Sequence, residues 1–193
     1  MDDRLRYRAT GSGRGLPAAF RASQQGTGGK VSTVPAGYSG QGFSLRGEKG
    51  RLVLPPDFRK AFADAGDDRV LCLTKHERWD CLTGFGLSRT ARFDELLERE
   101  ELRAERTGRD FDYDVRKHQL WGFARLPFDS SGRFVLPDHL AELGKLGDAV
   151  FFNGAGDYFT LWNPEELYRM GPGFETAQAS CRQLETEARE KRK

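Results

Sequence analysis

The chain has little of the chemistry that cysteine and histidine supply. It holds three of each among 193 residues. The cysteines are an odd number and none form a CxxC pair, so the pattern indicates neither a disulfide framework nor a zinc site. We predict buried, inert thiols at Cys72, Cys81 and Cys181.

Long apolar runs are also missing. No stretch of eighteen apolar residues occurs, and the N-terminus lacks the charged, apolar and small-residue order of a secretory signal. We therefore expect no membrane segment and place the protein in the cytoplasm. With 37% hydrophobic residues, the chain can still build the core of one domain or of two small ones.

The motifs of enzymes are absent as well. His76, His118 and His139 fall in three different predicted elements without a nucleophile motif. A Walker loop or dinucleotide fingerprint would need a strand before its glycines, and the segment GSGRG at 11–15 has none. We predict no catalytic activity, no metal, no cofactor and no small-molecule substrate.

Charge is unevenly distributed along the chain, although the net charge is only +2. Residues 1–36 carry six basic side chains against two acidic ones, a surplus of four that leaves residues 37–193 two units negative. This glycine- and serine-rich segment, 1–36, is predicted to be a disordered basic tail. A translation start at Val31 or Val34 is an alternative.

One stretch occurs twice. GEKGRLVLP at 47–55 returns as DSSGRFVLP at 129–137, at a shift of 82 positions. Around each copy the pattern predicts a strand, a glycine-containing turn, a second strand, a short helix behind proline and a further β-hairpin. We divide the chain into a first repeat (37–86), a helical insert (87–122), a second repeat (123–166) and a C-terminal helix and tail (167–193). The insert is predicted to form two amphipathic helices, one with Leu96, Leu97 and Leu102 and the other with Val115, Leu120 and Trp121.

Duplication has a structural explanation. A unit of about 45 residues cannot bury enough apolar surface to be stable alone, but two units can pair. If each unit's strands complete the sheet of the other, the result is an α+β fold: a pseudo-two-fold β-barrel with peripheral helices. The aromatic residues at strand and helix periods are then core or subunit interface. They are Phe43, Phe58, Phe62, Trp79, Phe134, Phe151, Phe159 and Trp162.

The repeated turn also carries arginine. Gly50 and Gly132 suit the positive φ of a tight turn, and Asp129 can accept hydrogen bonds from backbone N–H groups. These structural roles do not explain why an arginine follows each glycine, Arg51 after Gly50 and Arg133 after Gly132. An arginine at a turn tip can reach phosphates or guanine in a major groove. Arg133 could instead pair with Asp129, and both alternatives stay open.

The doubled turn, the aromatics of the second hairpins and the helical insert resemble the MraZ family over residues 38–163. The resemblance implies two AbrB-like, swapped-hairpin units and a ring-shaped homo-oligomer. It also implies binding of double-stranded DNA at repeated promoter-proximal motifs of the protein's own division and cell-wall gene cluster. The family usually represses, so a nucleoid-associated repressor is expected.

The family turn reads Asp-x-x-x-Arg in both halves. The second copy keeps it as Asp129 and Arg133, whereas the first has Gly47 in place of Asp. The DNA-reading role therefore passes chiefly to Arg51, with Lys49 beside it and Arg46 nearby. Arg59 and Lys60 could touch phosphates, although charges that flank a short helix are more often solvated.

A second function is compatible with the sequence. AbrB-like folds also occur in antidotes that dimerise, bind DNA and wrap a partner protein with a tail. Such antidotes usually hold one copy of the unit, whereas this chain fuses two. The assembly state, a ring or a dimer with a bound neighbour, discriminates the two alternatives.

Overall fold

Eight strands and six α-helices form within residues 37–192, the part of the chain that the computed structural model describes. The strands are β1 (Gln41–Leu45), β2 (Arg51–Val53), β3 (Val70–Lys75), β4 (Leu82–Gly86), β5 (Ala124–Pro127), β6 (Arg133–Val135), β7 (Ala149–Gly154) and β8 (Phe159–Trp162). The helices are α1 (Pro56–Asp64), α2 (Phe93–Thr107), α3 (Tyr113–Trp121), α4 (Asp138–Leu143), α5 (Pro164–Tyr168) and α6 (Glu175–Glu190). The predicted α+β class is confirmed. The predicted basic tail, 1–36, lies outside the described residues.

Local signals set the limits of the short helix in the first repeat. Helix α1 begins at Pro56, behind Pro55, because a proline in the first turn forfeits no helical hydrogen bond. It ends at Asp64, and Gly66 takes a φ of 70° just beyond it. Both ends agree with the sequence prediction.

Six strands form one antiparallel sheet in the order β1-β7-β8-β4-β3-β5. Strand β1 of the first repeat pairs with β7 of the second, and β5 of the second pairs with β3 of the first. Strands β1, β3 and β4 of the first repeat correspond to β5, β7 and β8 of the second. When each strand is replaced by its counterpart, the same order is obtained from the opposite edge of the sheet. The two copies therefore share one sheet, and residues 37–192 lie within one compact unit.

The remaining strands, β2 and β6, form a separate two-stranded ribbon. Its antiparallel register pairs Leu52 with Phe134, and both side chains are buried. The prediction that β1 pairs with β2 and β5 with β6 is wrong, because each of these four strands forms its hydrogen bonds with a strand of the other repeat. Among the described residues the hydrogen bonds do not close the strands into a barrel, since β1 and β5 remain edges of the sheet.

The core is shared between the repeats. Phe159 on β8 lies 4.8 Å from the ring of Tyr38 and 4.8 Å from that of Phe58, both in the first repeat. Of the eight aromatic residues predicted as core or interface, six are buried. The other two, Phe43 and Trp79, are partly buried and pack against a smaller hydrophobic cluster around Trp162. The predicted core aromatics are thus largely confirmed.

Buried thiols are confirmed too. Cys72, Cys81 and Cys181 are all buried and unbridged. Burial raises the pKa of the Cys72 thiol to about 11 and that of Cys81 to about 12. The thiols are therefore protonated at neutral pH and poorly nucleophilic.

The helical insert forms the two predicted helices, α2 and α3, but part of its apolar surface faces outward. Leu97 and Leu120 are buried, whereas Leu102, Val115 and Trp121 are exposed. The amphipathic pattern therefore predicts the helices correctly and misplaces three of their apolar side chains. No helix within residues 37–192 has the length and hydropathy to cross a membrane.

Candidate nucleic-acid interface

Two turns with the same closing hydrogen bond join the sheet to the ribbon. We call residues 46–51 the first turn and residues 128–133 the second turn. In the first, the N–H of Gly47 donates to the carbonyl of Arg51 at 2.8 Å. In the second, the N–H of Asp129 donates to the carbonyl of Arg133 at 3.0 Å. The repeated sequence thus forms equivalent turns.

Each turn is also held by the opposite repeat. The N–H of Leu136 donates to the carbonyl of Gly50 at 3.1 Å, and the N–H of Leu54 donates to that of Gly132 at 2.8 Å. Both glycines have positive φ, 71° and 83°. A side chain there would be strained, so the turns need glycine at these positions.

The second turn is braced by its aspartate. Asp129 Oδ1 accepts from the backbone N–H of Ser131 and of Arg133, each at 2.9 Å. Its Oδ2 accepts from Nε of Arg133 at 2.7 Å. These bonds, first the backbone N–H of Arg133 and then its guanidinium, lower the pKa of Asp129. Arg133 is therefore engaged within its own turn.

The first turn lacks this brace. A short 3₁₀ segment, Glu48–Gly50, forms it, and Gly47 has no side chain to cap the segment. Lys49 takes a φ of 57°, a left-handed conformation that costs a non-glycine residue roughly 1–2 kcal/mol. Arg51 is exposed, and its side chain makes no hydrogen bond or ion pair with any residue in 37–192. Its guanidinium is thus available to a ligand.

Arg46 lies in the same turn but is engaged. Its Nη2 donates to Oδ1 of Asp138, the first residue of α4, at 3.1 Å. The Arg46 side chain is 21% exposed, and that of Asp138 is 92% exposed. The guanidinium also covers Gly50, where an added Cβ would come within 3.2 Å of Nη2. Arg46 therefore links the first turn to Asp138 of the second repeat.

Arg59 has an unexpected position. This α1 residue reaches the second turn, where Nη1 donates to the carbonyl of Ser130 at 3.0 Å. A Cβ on Gly132 would lie 2.6 Å from Cδ of Arg59, so the two are tightly packed. Nε of Arg59 is buried without a hydrogen-bond partner. Arg59 is therefore half-buried and supports the second turn, whereas Lys60 is exposed. A phosphate contact by either residue stays a prediction.

The ribbon has two distinct faces. Leu52 and Phe134 point into the core. Side chains alternate along strands, so the residues on either side of them point outward. This outer face consists of Arg51, Val53, Arg133 and Val135, all exposed. Two arginines and two valines therefore occupy one exposed surface.

The described residues contain no cluster of metal-binding side chains. In 37–192 no three His, Cys, Asp or Glu residues are arranged to hold a metal ion. A cavity of about 430 Å³ lies beside Tyr38, Ala61 and Arg89. Arg89 is held there by Asp157, with Nε 2.9 Å from Oδ2.

Known proteins resemble this chain over much of its length. No family model matches it. The transcriptional regulator MraZ of Parvibaculum lavamentivorans is 32% identical over 146 residues, 69% of this chain and 87% of that protein. The transcriptional regulator MraZ of Phenylobacterium zucineum is 35% identical over 117 residues, 61% of this chain and 69% of that protein. The chain belongs to the MraZ family. In this chain Gly47 stands at the position that Asp129 occupies in the second turn, and the first turn accordingly lacks the aspartate brace.

Proposed function

We propose that this chain is a sequence-specific DNA-binding transcriptional regulator that represses its own division and cell-wall gene cluster. One observation carries the proposal. Arg51 projects, exposed and without a side-chain partner in residues 37–192, from a turn fixed by both repeats. A charged side chain on a rigid turn is well placed to read DNA, and MraZ relatives named transcriptional regulators make DNA the preferred ligand.

Arg51 would read the base edges and its neighbours would bind the backbone. Arginine lies bidentate against O6 and N7 of guanine, the commonest specific contact in the major groove. Lys49, exposed two residues away, suits a phosphate. The hydrogen bond between Leu136 and Gly50 would hold the backbone of the turn that carries both cations, which lowers the backbone entropy lost on binding.

Charge argues for several copies acting together. Residues 37–193 carry two net negative charges, so this part of one protomer attracts DNA weakly. We propose that the protomers, each an AbrB-like pseudo-two-fold unit, assemble into a ring. In such a ring several first turns meet repeated promoter-proximal motifs. Each further contact then forms at high effective concentration, and affinity rises without new chemistry.

Repression would follow from occupancy of the promoter. A ring bound over promoter elements excludes polymerase from the same DNA, and no cofactor is needed for this step. The protein would then be found in the cytoplasm, on the nucleoid.

The direct test combines binding and mass. We would titrate the purified protein against the DNA immediately upstream of its own gene, with unrelated DNA as competitor, and measure its mass by light scattering. A competitor-resistant complex formed by a large oligomer supports the proposal. A dimer that carries a neighbouring protein and binds DNA only with it would favour the antidote alternative.

Asp138→Asn is expected to raise DNA affinity. The exposed carboxylate holds Arg46 at 3.1 Å and adds negative charge beside the first turn. An exposed ion pair is worth about 0.2–1 kcal/mol, so release of Arg46 should increase affinity up to about fivefold, as measured by gel shift at low salt. Asp64→Asn, at the exposed end of α1, is the charge-matched control and should have less effect. A decrease with Asp138→Asn would mean that Arg46 must be braced in order to bind.

Removal of residues 1–36 should leave sequence preference intact. The segment supplies four net positive charges, and such charges strengthen binding to any DNA. We expect a similar loss of affinity for operator and competitor, with an unchanged ratio between them in the same titration. A collapse of that ratio would assign recognition to the tail.

A further inference from the structure

Two valines stand exposed on the outer face of the ribbon. Val53 is 44% exposed and Val135 is 53% exposed, although their ribbon neighbours Leu52 and Phe134 are buried. Exposed valines are common singly, but these two share one small face with Arg51 and Arg133. The described residues thus form an apolar patch between two cations.

We propose that Val53 and Val135 are specificity-determining residues that contact thymine methyl groups in the major groove, beside the base read by Arg51. The inference rests on the proposed function and deepens it. Apolar contact with the C5-methyl of thymine is a recognised form of direct readout. It would give the protein sequence information that arginine alone does not supply.

The register places both valines beside Arg51. Val135 lies directly opposite Arg51 in the β2–β6 ladder, and Val53 follows two residues along the same strand on the same face. Directly opposed residues in an antiparallel pair have Cβ atoms about 4.5–5.5 Å apart. The base pairs next to the guanine bound by Arg51 are therefore within reach of the valines.

The dimensions of the ribbon suit the groove. Each strand has three residues, which at about 3.4 Å per residue gives roughly 10 Å of strand. The major groove is about 12 Å wide and admits a two-stranded β-ribbon. The inward side chains Leu52 and Phe134 anchor the ribbon in the core, so its outer face would be presented without rearrangement.

The charges around the patch favour DNA as its ligand over the apolar surface of another protein. Arg51 and Arg133 flank the valines, and Lys49 is exposed next to them. Two of the acidic residues nearby are neutralised by ion pairs, Asp129 with Arg133 and Asp138 with Arg46. A third, Glu48, is exposed. A face with cations around a small apolar centre complements a groove lined by phosphates and thymine methyl groups.

Uracil interference tests this assignment. The upstream DNA is prepared with deoxyuridine replacing thymidine at random, which removes only the 5-methyl group, and bound and free fractions are mapped. For the wild-type protein we expect uracil to weaken binding about fourfold at one or two positions beside a protected guanine, the factor that burial of one methyl group gives. Val53→Ala and Val135→Ala should each lose the sensitivity at one of these positions.

Leu143→Ala, which alters another exposed apolar residue, is the matched control and should keep the full interference pattern. A wild-type pattern with no uracil-sensitive position overturns the inference, as does an equal loss of affinity for thymine and uracil probes in the valine variants. A changed oligomer mass in those variants also overturns it, because the valines would then pack between copies. If wild type binds no upstream DNA at all, the proposed function itself fails, and the two failures are distinguishable.

Discussion

Arg51→Ala is expected to abolish specific binding to the upstream DNA while leaving the fold and oligomer mass unchanged. The exposed guanidinium makes no hydrogen bond or ion pair in residues 37–192 that its removal would break. One bidentate contact with guanine is worth about 1–3 kcal/mol, so each site should lose about 5- to 150-fold in affinity. In an oligomer that uses several turns at once, these losses multiply.

The measurement is a gel-shift titration of wild type and Arg51→Ala over a salt series, with unrelated competitor DNA. Arg133→Ala is the matched control, since it removes the equivalent arginine from the turn in which Asp129 already holds it. We expect a smaller loss for Arg133→Ala. Loss of assembly in Arg51→Ala would show that Arg51 is structural, and failure of wild type to bind would direct the search towards a protein partner.

Local features of the fold are predictable from the sequence, and long-range pairing is not. Helix α1 could be placed because proline and glycine mark its ends within a few residues. The partner of β1 could not, because β7 lies about a hundred residues away and hydrophobic alternation is the same for any partner. Duplication predicts that strands are exchanged between the repeats, but proximity in the sequence still favours the hairpins β1–β2 and β5–β6, which do not form.

The candidate interface shows the same division. Gly50, Gly132 and Asp129 follow from turn chemistry, since each acts within its own turn. The hydrogen bond from Arg59 to Ser130 joins residues 71 positions apart, and the one from Arg46 to Asp138 joins residues 92 positions apart. No local sequence pattern predicts contacts over such separations. The available signal was the repeat itself, because exchange of strands brings the helix of one repeat beside the turn of the other.

The exchange of strands between the repeats also links their stabilities. Phe159 belongs to the second repeat, but its ring contacts those of Tyr38, Phe58 and Phe62 in the first. The ring also fills the space where a Cβ on Gly84 would stand, 2.5 Å from its nearest carbon. A side chain placed between the repeats in this way makes each repeat's stability depend on the other.

Phe159→Ala should therefore lower the free energy of unfolding by about 3–5 kcal/mol, the usual cost of deleting a buried phenylalanine ring. That is a large share of the roughly 5–15 kcal/mol that stabilises a typical domain. Urea unfolding followed by both far-UV circular dichroism and tryptophan fluorescence should give one coincident transition, shifted to lower urea. Leu143→Ala, on the surface, should change the free energy by less than about 0.5 kcal/mol. Two separate transitions, with only one of them moved by Phe159→Ala, would mean that the repeats fold independently and that the shared core contributes little to either.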